Sequence, residues 1–139
     1  MAEKSPSTVT AVQLEKAQAV HQRLLRVYGA PEWRETLPAL DELISTILSQ
    51  NTNDRNRDVA FYALKDNFPN WEAVRDADPQ EVITAIRPAG LANQKGPRIQ
   101  SVLRQISDET GSLSLDFLKS WSAEKAHEWL IRFKGVGPK

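Results

Sequence analysis

Apolar residues recur along most of this chain at the spacing of an α-helix, and polar residues punctuate them. Val12, Leu14, Val20, Leu24, Leu25 and Val27 predict a first helix from residue 11, which Gly29 stops. The Ser-, Thr- and Pro-rich residues 1–10 predict a disordered tail, and Gly29-Ala30-Pro31 predicts a break. From Pro38 to about Gln50, the residues Leu40, Leu43, Ile44, Ile47 and Leu48 fall at intervals of three and four, a strong apolar stripe. Asn51-Thr52-Asn53-Asp54 interrupts it. Asn53 or Asp54 can cap a next helix carrying Val59, Phe61, Tyr62 and Leu64, and Asn70 a short one with Trp71 and Val74. Asp78-Pro79-Gln80-Glu81 combines a capping Asp, a first-turn proline and a Glu placed to close a capping box. That helix is expected to end near Arg87-Pro88-Ala89-Gly90.

Downstream, Ile99, Val102, Leu103 and Ile106 predict a helix from Gln94 to Thr110, ended by Gly111. Ser114 to Ser120 allows at most two turns. Ser122 caps a last helix expected to run through Trp129, Leu130 and Phe133. No stretch alternates as a strand does and no segment repeats, so the fold class is all-α.

Composition removes several kinds of chemistry. The chain has no cysteine, which excludes a disulfide, a thiol nucleophile and a cysteine-ligated zinc or iron–sulfur site within these residues. His21 and His127 follow no metal-ligand spacing, so no metal is expected. Neither a membrane-length apolar run nor a signal-peptide pattern is present, so a cytoplasmic protein with no membrane partner is expected. The 18 basic and 18 acidic residues cancel, and charge therefore informs only through its distribution. Arg87, Lys95, Arg98 and Arg104 carry the segment from 87 to 104 without a single acid, whereas residues 66–81 hold five acids against Arg75. Two faces of opposite sign are plausible; a solvated helix face is the plainer reading of the basic run.

The densest chemical signal is Gly135-Val136-Gly137 followed by Pro138-Lys139. Two glycines one residue apart permit a tight turn with positive φ and leave backbone amides open to a bulky ligand. Pro138 suits the first turn of a following helix. The product would be a nest of N–H groups at a helix start, which attracts phosphate. The alternative is an ordinary helix–helix turn.

Phe133-Lys134-Gly135-Val136-Gly137-Pro138-Lys139 resembles the hairpin of the helix-hairpin-helix DNA glycosylases of the endonuclease III type. Ile47-Leu48-Ser49-Gln50-Asn51-Thr52-Asn53-Asp54 is similar to that family's first helix end, and Ala89-Gly90-Leu91-Ala92-Asn93-Gln94-Lys95 to its Gly-Leu-x-x-x-Lys segment. The three motifs occur in family order, from about residue 36 onward. The resemblance implies a bundle like the six-helix domain of endonuclease III, with its helix-hairpin-helix motif cut short at the C-terminus. The implied organisation is a tail at 1–10, a helix and linker at 11–35, and the incomplete glycosylase domain at 36–139.

The resemblance also assigns roles. Lys139 falls on the catalytic lysine, whose neutral amine attacks the sugar C1′ and forms a Schiff base. Asn51 falls where a Gln commonly fills the gap left by a flipped nucleotide; its plainer role is a turn or cap residue. Leu91 falls on the wedge that unstacks bases, the alternative being core packing. Gln50, Lys134, Gly135, Val136 and Gly137 join the implied DNA-binding set, and Lys95 and Arg98 are expected on phosphates. Lys134 stands where a proline is usual and Pro138 where a basic residue is.

The implied function is base-excision repair by a DNA glycosylase, with or without AP lyase activity, on an oxidised pyrimidine. The partner is double-stranded DNA with a damaged base or an abasic site, bound by a monomer at the nucleoid. The family's catalytic aspartate, second hairpin helix and 4Fe-4S cysteines would lie downstream in a longer parent, so no cofactor is expected within this chain and the 139 residues alone are expected to be inactive. Two other readings remain: a non-catalytic helix-hairpin-helix DNA-binding module, and a helical protein-interaction domain.

Overall fold

A computed structural model describes residues 8–32 and 36–138. Most of the expected N-terminal tail, part of the linker at 33–35, and Lys139 lie outside them. The chain divides into two compact units, residues 1–35 and 36–139. Every regular element among the described residues is helical.

The first unit holds α1, Ala11–Tyr28. Thr10 and Gln13 close a capping box at its start, and the Gly29 amide reaches back to the Leu25 carbonyl at its end. Sequence alone therefore fixes both ends of this helix. It buries none of its residues, and Val12, Leu14, Val20, Leu24 and Val27 stay exposed.

The second unit contains α2 (Ala39–Ser49), α3 (Asp54–Asn67), α4 (Trp71–Asp76), α5 (Pro79–Ile86), α6 (Ala92–Thr110) and α7 (Ala123–Leu130). Short 3-10 turns at Arg87–Ala89 and Asp116–Ser120 follow α5 and α6. The stripe on α2 is buried whole: Leu40, Leu43, Ile44, Ile47 and Leu48. Across from it lie Ile99, Val102, Leu103 and Ile106 of α6, with Phe61 and Leu64 of α3 and Val82 and Ile86 of α5. Each such side chain removed from water contributes about 1.5–3 kcal/mol before entropy is counted. Val59 and Tyr62 of α3 point outward. Gly96 lets α6 lie close on α5, because a Cβ there would overlap the Ile83 side chain.

Side-chain caps set most boundaries. Asn53, Asn70 and Ser122 each accept an amide three residues ahead. Asp78 departs from expectation. Its carboxylate takes the Gln80 amide at 2.7 Å, one residue short of the capping-box partner, and Glu81 closes no box. The last helix ends at Leu130, three residues early, and Phe133 sits buried in the turn beyond it. There the Phe133 amide bonds the Leu130 carbonyl, a tighter pattern than the α-helix allows.

Polar side chains tie the helices crosswise. Asp41 of α2 accepts from Trp71 Nε1 at 2.7 Å and from Lys65 at 3.1 Å. Glu109 near the end of α6 accepts from Arg132 and Trp129 beside α7; Gln105 and Arg132 hold its carboxyl below the usual range. Gln100 is buried, and its Nε2 donates to the carbonyls of Val74 and Ala77 at 3.0 and 2.9 Å. It therefore acts as a remote C-terminal cap for α4. Gln100→Leu should lower stability by about 1–3 kcal/mol, because buried acceptors lose their donor. A shifted urea midpoint at constant slope is the expected result; an unmoved midpoint would show that Gln100 caps nothing.

Candidate nucleic-acid interface

Lys95 lies on the same face of α6 as Ile99, Leu103 and Ile106, and so points into the protein. Only 1% of it is exposed. Its ammonium donates to the Leu48 carbonyl at 2.9 Å and the Ala89 carbonyl at 2.8 Å. Leu48 lies in the last turn of α2, whose carbonyls lack intrahelical donors; Ala89 closes the turn after α5. The lysine caps both ends at once, where backbone partial charge is negative. No carboxylate pairs with it among the described residues. Burial pushes its pKa down. Lys95 is thus not the surface cation that the sequence reading set against a phosphate. The charge suggested a solvated side chain, but its helical register dictates the interior.

The two carbonyls it holds precede the two non-glycine residues with positive φ among the described residues. Asn51 has φ 53° and Leu91 φ 48°. Asparagine tolerates this region; leucine is strained there by about 1–3 kcal/mol. Leu91 occupies the N-cap of α6 and accepts the Gln94 and Lys95 amides at 2.9 Å, yet its side chain caps nothing. The residue is 47% exposed. Core packing, the alternative for Leu91, does not hold. Asn51 is exposed also.

After α7 the chain makes a hairpin turn. The Val136 amide donates to the Phe133 carbonyl at 3.0 Å and is spent within the turn. The Gly135 and Gly137 amides have no partner among the described residues. The nest expected from sequence is therefore reduced to those two donors, and Val136 instead packs its side chain against the core. Of the two glycines only Gly135 takes positive φ, 91°. A Cβ on it would overlap the side chain of Arg98. Gln50 is half-buried and turned inward: its Nε2 donates to the Gly135 carbonyl, and its Oε1 accepts from Arg98 at 3.4 Å. Gln50, placed in the DNA-binding set by resemblance, thus makes one contact within the protein at each end of its amide. Lys134 is exposed on the hairpin. Lys139 lies outside the described residues.

Residues 44–135 match the family described as HhH-GPD superfamily base excision DNA repair protein. The chain belongs to this superfamily. Among its relatives is a protein of Arabidopsis thaliana named as a DNA glycosylase, 42% identical over 100 residues, which are 72% of this chain and 34% of the relative. Endonuclease III of Sulfolobus acidocaldarius is 31% identical over 99 residues, 70% of this chain and 42% of that protein. The fold is shared with the H. pylori 3-methyladenine DNA glycosylase MagIII, solved bound to 1,N6-ethenoadenine, at a TM-score of 0.64 and 24% identity, covering 88% of this chain and 58% of that one. The chain thus spans between about a third and two fifths of these curated relatives.

Within the HhH-GPD match lie all the groups just described except Val136, Gly137 and Lys139. The three motif segments are joined by contacts that their sequences do not announce, through Lys95 and Gln50. The Lys95 clamp had a signal, the continuation of the apolar stripe of α6 back by one turn. The pairing of Gln50 with Gly135 had none, since the two are 85 residues apart. Among the described residues no group of three or more His, Cys, Asp or Glu is arranged to hold a metal, and no helix is long and apolar enough to cross a membrane.

Lys95→Met keeps the stem and removes the ammonium. It strands two carbonyls, each at about 1–3 kcal/mol, while relieving the cost of a buried charge. A net loss of about 2 kcal/mol is expected on this accounting. Denaturant unfolding would read it, and a variant as stable as the parent would show that the two bonds contribute nothing.

Proposed function

We propose that the protein carrying this chain is a base-excision repair glycosylase that extrudes a damaged base from duplex DNA. The exposed, backbone-strained Leu91 carries this reading. An apolar side chain held outward at a helix start, where a polar cap is the rule, suits insertion between base pairs. Asn51, fixed beside the same lysine clamp, is the group to take the place of the extruded nucleotide. Lys134 and the amides of Gly135 and Gly137 supply phosphate contacts, which give affinity and register rather than sequence choice. An oxidised pyrimidine is the proposed lesion.

Lys139 is the proposed nucleophile. The lone pair of its neutral amine attacks C1′, the C1′–N bond to the base breaks, and the base leaves with that electron pair and takes a proton. Loss of the amine proton and opening of the sugar give an iminium, from which β-elimination would nick the strand. No residue here offers a thiolate to a 4Fe-4S cluster, so a cluster in the parent would be held elsewhere.

Borohydride reduces the iminium to a permanent protein–DNA link. The parent protein should be trapped on duplex carrying an abasic site or an oxidised pyrimidine, and Lys139→Ala should abolish trapping while duplex binding persists. Trapping of Lys139→Ala at the parental rate would remove Lys139 as nucleophile; salt-dependent binding without any trapping would favour a non-catalytic module. In the same binding series, Lys134→Ala should reduce the slope of log K against log salt by about 0.9, one phosphate contact. Lys95→Met should leave that slope unchanged.

A further inference from the structure

Gln50 and Arg98 carry polar groups close to the hairpin and turn them toward the protein. Gln50 is the C-cap of α2, directly before the positive-φ Asn51. Its amide is used at both ends, donating to the Gly135 carbonyl and accepting from Arg98. Arg98 is half-buried, one turn beyond the Lys95 clamp on α6, and its stem fills the space that a side chain on Gly135 would need. No carboxylate pairs with Arg98 among the described residues. The glycine is therefore required by Arg98 as much as by any ligand.

We propose that Gln50 and Arg98 are positioning residues that clasp the hairpin to the α2–α3 loop, fixing the distance between the groups offered to a base step and those offered to a phosphate. The use of the clasp rests on the DNA-binding reading above; its existence does not. Each residue type follows from the geometry. Asparagine is one methylene too short to span from the end of α2 to Gly135 and still meet Arg98. Glutamate could meet Arg98 but has no proton for the Gly135 carbonyl. Lysine keeps the charge of Arg98 and loses the planar donor fork. The clasp also contains no acid, so it ties the hairpin down without cancelling the positive charge beside its free amides.

Two measurements test it on the 139-residue chain. In native-state hydrogen exchange without DNA, Gln50→Leu and Arg98→Lys should each speed exchange of the Val136 amide about tenfold, because its bond to Phe133 depends on a held hairpin. The double variant should be no faster than either single one, and the core amide of Leu103 should keep its parental rate. Val136 exchange at the parental rate, additive effects in the double variant, or equal acceleration at Leu103 would each overturn the clasp. In the second measurement, Arg98→Lys should bind undamaged duplex about tenfold more weakly with an unchanged salt slope. Full affinity in Arg98→Lys would make Arg98 a simple phosphate cation and also overturn the proposal. If the parental chain binds no duplex at low salt while Val136 responds as expected, the clasp stands and the DNA reading falls.

Discussion

A single ammonium group, buried with no carboxylate partner among the described residues, ties the end of α2 to the turn before α6. Taking a lysine charge out of water is costly, and the compensation here comes from backbone alone: two carbonyls at helix ends whose own donors are missing. The arrangement solves three problems at once. Two helix termini are satisfied, one charge is solvated by oriented dipoles, and two loops with unusual backbone are pinned close behind their turning points. An apolar residue at position 95 would fill the same space and remove the charge, but would leave both helix termini without a donor and both loops untied.

Helix α6 is the element from which these restraints issue. Leu91 stands at its start, Lys95 reaches across one turn later toward α2 and α5, Arg98 leans over the hairpin, and Gln100 caps α4. Successive side chains on a helix point in different directions around its axis, so a short run of sequence can hold several neighbours. The loops need no rigidity of their own. They inherit it from a helix packed on its inner face by Ile99, Val102, Leu103 and Ile106.

Local rules were legible in the sequence because local physics decides them. Asn53, Asn70 and Ser122 cap where polar residues precede apolar periodicity, and the stripes of α2 and α6 are buried as their spacing demands. Where two local signals compete, the reading slips. Asp78 had both a proline after it and a Glu at capping-box distance, and its bond went to the nearer amide. Phe133 continued the apolar pattern of α7, but the chain had already turned to put that ring in the core. The candidate site was legible as a set of segments and not as an assembly. Lys95 was read by its charge, as a cation for phosphate, and Gln50 only by its place in a motif. Position decided otherwise, and for Gln50 that position depends on a hairpin 85 residues away.

Leu91 sets robustness against use. Its backbone lies where glycine or asparagine is at ease and leucine is not, and its exposed side chain returns little burial in exchange. Screening variants for heat resistance alone would discard this leucine early. If Leu91 is the wedge proposed above, replacement of this residue by glycine or asparagine in an otherwise intact fold would mark a lineage that had given up base extrusion.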